Sequence, residues 1–92
     1  MTSHNIQEKS FNFAIRIVKL CKLLRTERGE YTLSKQLLRS GTSIGANISE
    51  AQNAQSRADF VSKLSIALKE TTESKYWLRL LHATDYLTNE EF

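Results

Sequence analysis

The sequence predicts an all-α fold, an antiparallel up-and-down helical bundle with three long helices and the start of a fourth. Three observations carry this prediction. Proline is absent and glycine occurs only three times in 92 residues, which leaves few turn-formers for an all-β design. Apolar residues recur at intervals of three and four, the period of a helix with one buried face. Cap signatures bracket each periodic stretch. A chain of this length makes one domain, residues 1–92.

The first helix is expected over residues 6–27. Asn5 followed by Glu8 can cap it, and Phe13, Ile17, Leu20 and Leu24 form a stripe beside a second one of Phe11, Ala14, Val18 and Cys21. Gly29 is placed to stop it in a left-handed conformation. Thr32 is the expected N-cap of a second helix, 33–53, whose apolar stripe is Leu33, Leu37, Ile44, Ile48 and Ala51. Ser56 and Asp59 make a capping box for a third, 57–83. This helix carries a heptad seam of Phe60, Leu64, Ala67, Thr71, Ser74, Leu78 and Leu81. A second seam, Ile66, Glu70, Glu73, Trp77 and Leu80, lies roughly 100° away, and two seams imply two neighbours. Thr88 and Glu91 form one more capping box, read as the start of a truncated fourth helix from residue 89.

The composition, 40% apolar and 25% charged, is that of a soluble globular protein rather than a disordered one. No apolar run exceeds three residues, so neither a membrane span nor a secretion signal is expected, and the cytoplasm is the default location. The net charge of +3 is unevenly placed. Residues 9–39 hold eight basic and two acidic side chains, whereas residues 40–92 hold five basic and seven acidic. A basic first third suits a phosphate-rich partner, and equally an acidic patch on another protein.

Two basic patches and one polar stripe are the candidate functional features. Arg16, Lys19, Lys22 and Arg25, with Lys9, occupy the non-apolar arc of the first helix. Lys75, Arg79 and His82 line up on the third, with Tyr86 a turn further on, where an aromatic ring could stack on an unpaired base. On the second helix Gln36, Arg39, Ser43, Asn47 and Glu50 form a polar line beside the apolar stripe. Gly41 and Gly45 each cost about 1 kcal/mol relative to alanine in a helix interior, which calls for close approach of another backbone. The polar line is read as an internal network rather than a ligand groove. Within it Arg39 is expected to pair with Glu70 or Glu73, because an unpaired buried charge is costly.

No cofactor or catalytic site is expected. A di-metal carboxylate site in a bundle uses Glu-x-x-His, and no glutamate here has histidine three positions later. Cys21, the only cysteine, sits on an apolar stripe with no histidine on its helix, the position of a core thiol rather than a nucleophile. Gly41-Thr-Ser-Ile-Gly45 has neither a preceding strand nor the lysine of a phosphate loop.

The stretch from Gln36 to Leu81 resembles a bacterial family. The matching residues are Gln36-Leu-Leu-Arg39-Ser-Gly-Thr-Ser43-Ile-Gly-Ala-Asn47-Ile48-Ser-Glu50, Asp59-Phe60, Lys63-Leu64, Ile66-Ala67, Lys69-Glu70, Glu73 and Tyr76-Trp77-Leu78-Arg79-Leu80-Leu81. They are similar to the four-helix bundle proteins encoded in 23S ribosomal RNA intervening sequences, and more distantly to the accessory protein of diversity-generating retroelements. The resemblance implies an up-down-up-down bundle assembled as a homopentamer, a basic surface that binds RNA or DNA, and no catalytic activity. This chain departs from the family in having Ala51 after Glu50, where glycine is usual, and in lacking a fourth helix. Without that helix an apolar groove would stay open, and an exposed patch of that size finds a partner.

The leading functional expectation is therefore a non-enzymatic homo-oligomer that associates with nucleic acid through Arg16, Lys19, Lys22, Arg25, Lys75 and Arg79. The alternative is a protein scaffold whose basic surface recruits an acidic partner such as a polymerase. A third possibility is a structural bundle whose charge only keeps it soluble.

Overall fold

A computed structural model describes residues 2–92, with side chains from residue 5 onward. It contains three helices, α1 (Thr2–Glu27), α2 (Thr32–Ala51) and α3 (Arg57–Ala83). The molecule is a rod with extents of 43 × 19 × 19 Å, its long dimension set by α3, since 27 residues at about 1.5 Å each span about 40 Å.

The all-α class stands, but the fourth helix does not. Residues 84–92 form turns, not a helix. The Thr88–Glu91 box does close: the Thr88 N–H donates to Glu91 Oε1 at 2.9 Å, and the Glu91 N–H to Thr88 Oγ1 at 3.2 Å. The same carboxylate is held by Arg28, which donates to Oε1 and Oε2 at 2.7 and 2.8 Å. Arg28 also donates to the Tyr86 carbonyl at 2.7 Å. These bonds fold the tail back and bring Leu87 into the core.

The layout also differs from a closed bundle. Helices α1 and α3 each pack closely against α2, while their own backbones stay further apart and meet through side chains such as Leu24 and Leu81 in a shared core. Both seams of α3 reach α2: Ser74 of the first bonds to Ser40, and Glu73 of the second pairs with Arg39. At the C-terminal end of the first seam Leu81 is buried, while Phe60 and Leu64 near its N-terminal end remain exposed.

Close approach explains the glycines. A Cβ at Gly41 would lie 2.8 Å from Ile17 Cγ2, and one at Gly45 would lie 3.2 Å from the Ser10 carbonyl oxygen. On the opposite flank of α2 small residues serve the same purpose: Ser74 of α3 donates to Ser40 at 3.0 Å, both side chains being fully buried or nearly so.

Two expected caps formed and two did not. Gly29 has φ +65°, as a left-handed helix stop requires, and Ser56 accepts the Asp59 N–H at 3.0 Å. Asn5, in contrast, lies inside α1, which begins at Thr2. Thr32 does not cap α2 either: Tyr31 is the N-cap residue, and buried Glu30 just before it supplies the acceptor, taking the N–H groups of Thr32, Leu33 and Ser34 at 3.2, 2.9 and 2.6 Å. A carboxylate bonded to three otherwise orphan donors also complements the helix dipole.

Candidate nucleic-acid interface

The positive charges of the protein fall into two groups. Arg28, Arg39 and Lys63 are committed to ion pairs within the fold. The expected interface residues Arg16, Lys19, Lys22, Arg25, Lys75 and Arg79 are exposed, as are Lys9, Lys35, Arg57 and Lys69, and none of these ten has an ion-pair partner among the described residues.

On α1 the four basic residues recur every third position, so each is rotated about 60° from the last and together they wind over the outer surface. The inner surface is fixed by Ile17, Cys21 and Leu24, which are buried. The winding divides the cations between two flanks. Arg16 and Lys19 border the hollow between α1 and the tail, alongside Phe13, Leu20 and Leu78. Lys22 and Arg25 border a separate hollow with Val18, Tyr31 and Leu38. There the Arg25 guanidinium sits 5.9 Å from the centre of the Tyr31 ring, within cation–π range.

On α3, Lys75 and Arg79 share one face at i, i+4 spacing. Tyr86, expected beside them, instead packs onto the core next to Leu87. The aromatic rings that do adjoin Arg79 are Tyr76 and Phe92, which line a hollow with His82. Sequence reading missed both. Tyr76 carries a weak signal, since it follows Lys75 directly, but Phe92 reaches the site only through the folded tail.

The polar line of α2 lies along its seam with α3. Arg39 pairs with Glu73 and, at 3.4 Å, with Glu70. Its side chain is 52% exposed, so the pair sits at the edge of the seam and not within it. The Trp77 indole N–H donates to the same Glu73 carboxylate at 3.0 Å. That bond and the Arg39 guanidinium hold the Glu73 pKa below the ordinary carboxylate value, and Glu73 in turn raises that of Arg39. Glu50 pairs with Lys63 at 2.9 Å, and Asn47 donates to Ser43 Oγ at 3.1 Å. These bonds join the line to itself and to α3. Gln36 is half-buried at the head of the line.

Cys21 donates to the Ser34 carbonyl at 3.3 Å, and burial pushes its thiol pKa up to about 11. Such a thiol is protonated at neutral pH. Among the described residues no three ligating side chains converge on a possible metal position. No described helix is long and apolar enough to cross a membrane.

Fold and surface thus define a small all-α protein in which two outer helices flank a central one and expose uncommitted positive charge. Comparison with known proteins makes the assignment specific. The model of the 23S rRNA-intervening sequence protein family matches residues 2–92, and the chain belongs to that family. Among solved structures it is similar to a protein of unknown function from the S23 ribosomal protein family of Bacteroides thetaiotaomicron. The two are 58% identical, with a TM-score of 0.97 over 99% of this chain and 81% of that one. No curated protein matches, and the distant likeness to the retroelement accessory protein has no support in these comparisons.

Proposed function

We infer that this protein is a non-enzymatic homo-oligomer that associates with structured RNA or DNA through basic helix faces. The observation that carries this reading is the division of its cations. Nine exposed Lys and Arg side chains on α1 and α3, the six expected ones together with Lys9, Arg57 and Lys69, have no ion-pair partner among the described residues, while three other cations are paired within the fold. Phosphate contacts by such residues give binding that depends on salt more than on sequence. Exposed Phe11, Ile15 and Val18 on α1 and Val61, Leu64 and Leu68 on α3 support self-association. Repeating a weak basic patch around an oligomer raises avidity without any new contact.

The test is fluorescence anisotropy with structured RNA and duplex DNA across a salt series, with subunit mass recorded on the same sample. Binding should weaken steeply with salt, and K19E/K22E/R25E should weaken it further and flatten the salt slope. Absence of binding at low salt by an intact oligomer would overturn the reading. The same exposed apolar side chains favour a second reading, a scaffold for an acidic protein partner, whose signature is a pull-down that survives nuclease treatment.

A further inference from the structure

We propose that the C-terminal end of α3 and the folded tail form a stacking site for an unpaired base of a single-stranded nucleic acid, for which RNA is the probe. The site adjoins the basic face of α1 through Phe92. The inference rests on the nucleic-acid reading above and assigns a ligand to one part of it. A hollow of about 420 Å³ lies between α3 and the tail, with Tyr76, Arg79, His82 and Phe92 on its walls. Tyr76 is 57% and Phe92 52% exposed, so both rings offer apolar area to solvent beside an uncommitted guanidinium.

The hollow is preformed. The His82 and Phe92 rings stack with centroids 4.3 Å apart and planes within 8°. His82 Nε2 lies 2.7 Å from Asn89 Oδ1, which fixes the imidazole from the tail side. The Phe92 N–H donates to the Thr88 carbonyl at 3.0 Å, anchoring its backbone to the closed turn. Tyr76 meets Trp77 edge to face at 5.0 Å, which restricts its ring as well. A base entering here extends a stack already begun by His82 and Phe92, with Arg79 on the same wall to meet a flanking phosphate.

Geometry selects the single strand. A base within a duplex has both faces covered by its neighbours, whereas an unpaired base has a free face to place on a ring. Flat aromatic surface has no use in binding a phosphate backbone, for which the α1 cations suffice.

The test compares a fluorescent 12-nucleotide single-stranded RNA with a blunt duplex of the same length by anisotropy at fixed salt. Tyr76→Ala and Phe92→Ala should each weaken single-strand binding about tenfold, in the range measured for loss of one base–aromatic stack, and leave duplex binding within twofold. Tyr76→Phe should retain wild-type affinity, since the ring persists. Far-UV circular dichroism on each variant checks that the helices are intact. If both alanine variants bind the single strand like wild type, the stacking site is refuted and the α1 reading stands. If the wild type binds neither RNA, the nucleic-acid reading falls and this proposal falls with it.

Discussion

The two ends of the molecule are made by the same three helices and finish differently. At the end containing the α1–α2 turn, Cys21, Leu24, Leu37, Leu81 and Leu87 form a core of buried residues. At the opposite end Ile44, Ile48 and Ala67 form a smaller cluster, with Phe60, Leu64 and Ile6 left exposed nearby in the fold. The cause is the tail. At one end only, residues 84–92 add Leu87 to the core that the three helices share. Leu64 and Leu78 make the point within a single helix. They share a seam two heptads apart, yet Leu64 is exposed and Leu78 packs against the core.

The contrast can be broken most strongly at the closed end. Leu37→Ala should cost about 3 kcal/mol of unfolding free energy, as for other fully buried leucines. Phe60→Ala at the open end should cost less than about 1 kcal/mol in the same urea titration, because the ring is already partly in water. Equal losses would mean that the open end is covered in solution.

Glu30→Gln tests the cap beneath the closed end. A neutral amide keeps an acceptor but loses the charge that faces three backbone donors and the helix dipole. A loss of about 2 kcal/mol is expected, measured by the same titration.

A smaller effect belongs to the tail and is read from its pH dependence. The Arg28 guanidinium, with the Thr88 N–H, lowers the Glu91 pKa from 4.5 to about 2. As pH falls the unfolded chain takes up that proton first, so the contribution of Glu91 is complete above about pH 5 and is lost as pH approaches 2. The Tm difference between wild type and Glu91→Gln should therefore be constant from neutral pH down to about 5 and shrink towards zero near pH 2. A difference unchanged across that range would remove the ion pair from the account of closure.

The smallest effect is a gain. Asp85 has φ +68° at the end of α3, where the Tyr86 N–H bonds back to Leu81 and the Asp85 N–H to His82. Glycine suits that conformation better, so Asp85→Gly should stabilise by roughly 0.5 kcal/mol and raise Tm slightly.

Local signals in the sequence were legible and distant ones were not. Ser56 with Asp59, and Gly29, act within a few residues of themselves, and their roles follow from spacing alone. The small residues Gly41 and Gly45 announced a close backbone neighbour without saying which one, and the structure supplies α1. The Thr88–Glu91 box is readable as a cap, but its ion pair with Arg28, 63 positions away, is one that no local pattern connects to it. Glu30 was passed over as a cap because a hydroxyl two residues later fits the common pattern, whereas the longer carboxylate reaches three donors from outside the helix. In the candidate interface, the cations of α1 and α3 could be placed from periodicity. The pairing of Tyr76 with Phe92 across one hollow could not, because it depends on the path of the tail.

Cys21 gives the closed end its own clock. A thiol reagent reacts with the deprotonated sulfur, and this sulfur is shielded from solvent with its pKa near 11. Modification must therefore wait for that end to open, and its rate counts openings. With no other cysteine in the chain, no second signal blurs the reading. Changes that loosen the tail will quicken the clock, and changes confined to the far end will leave it running at its original pace.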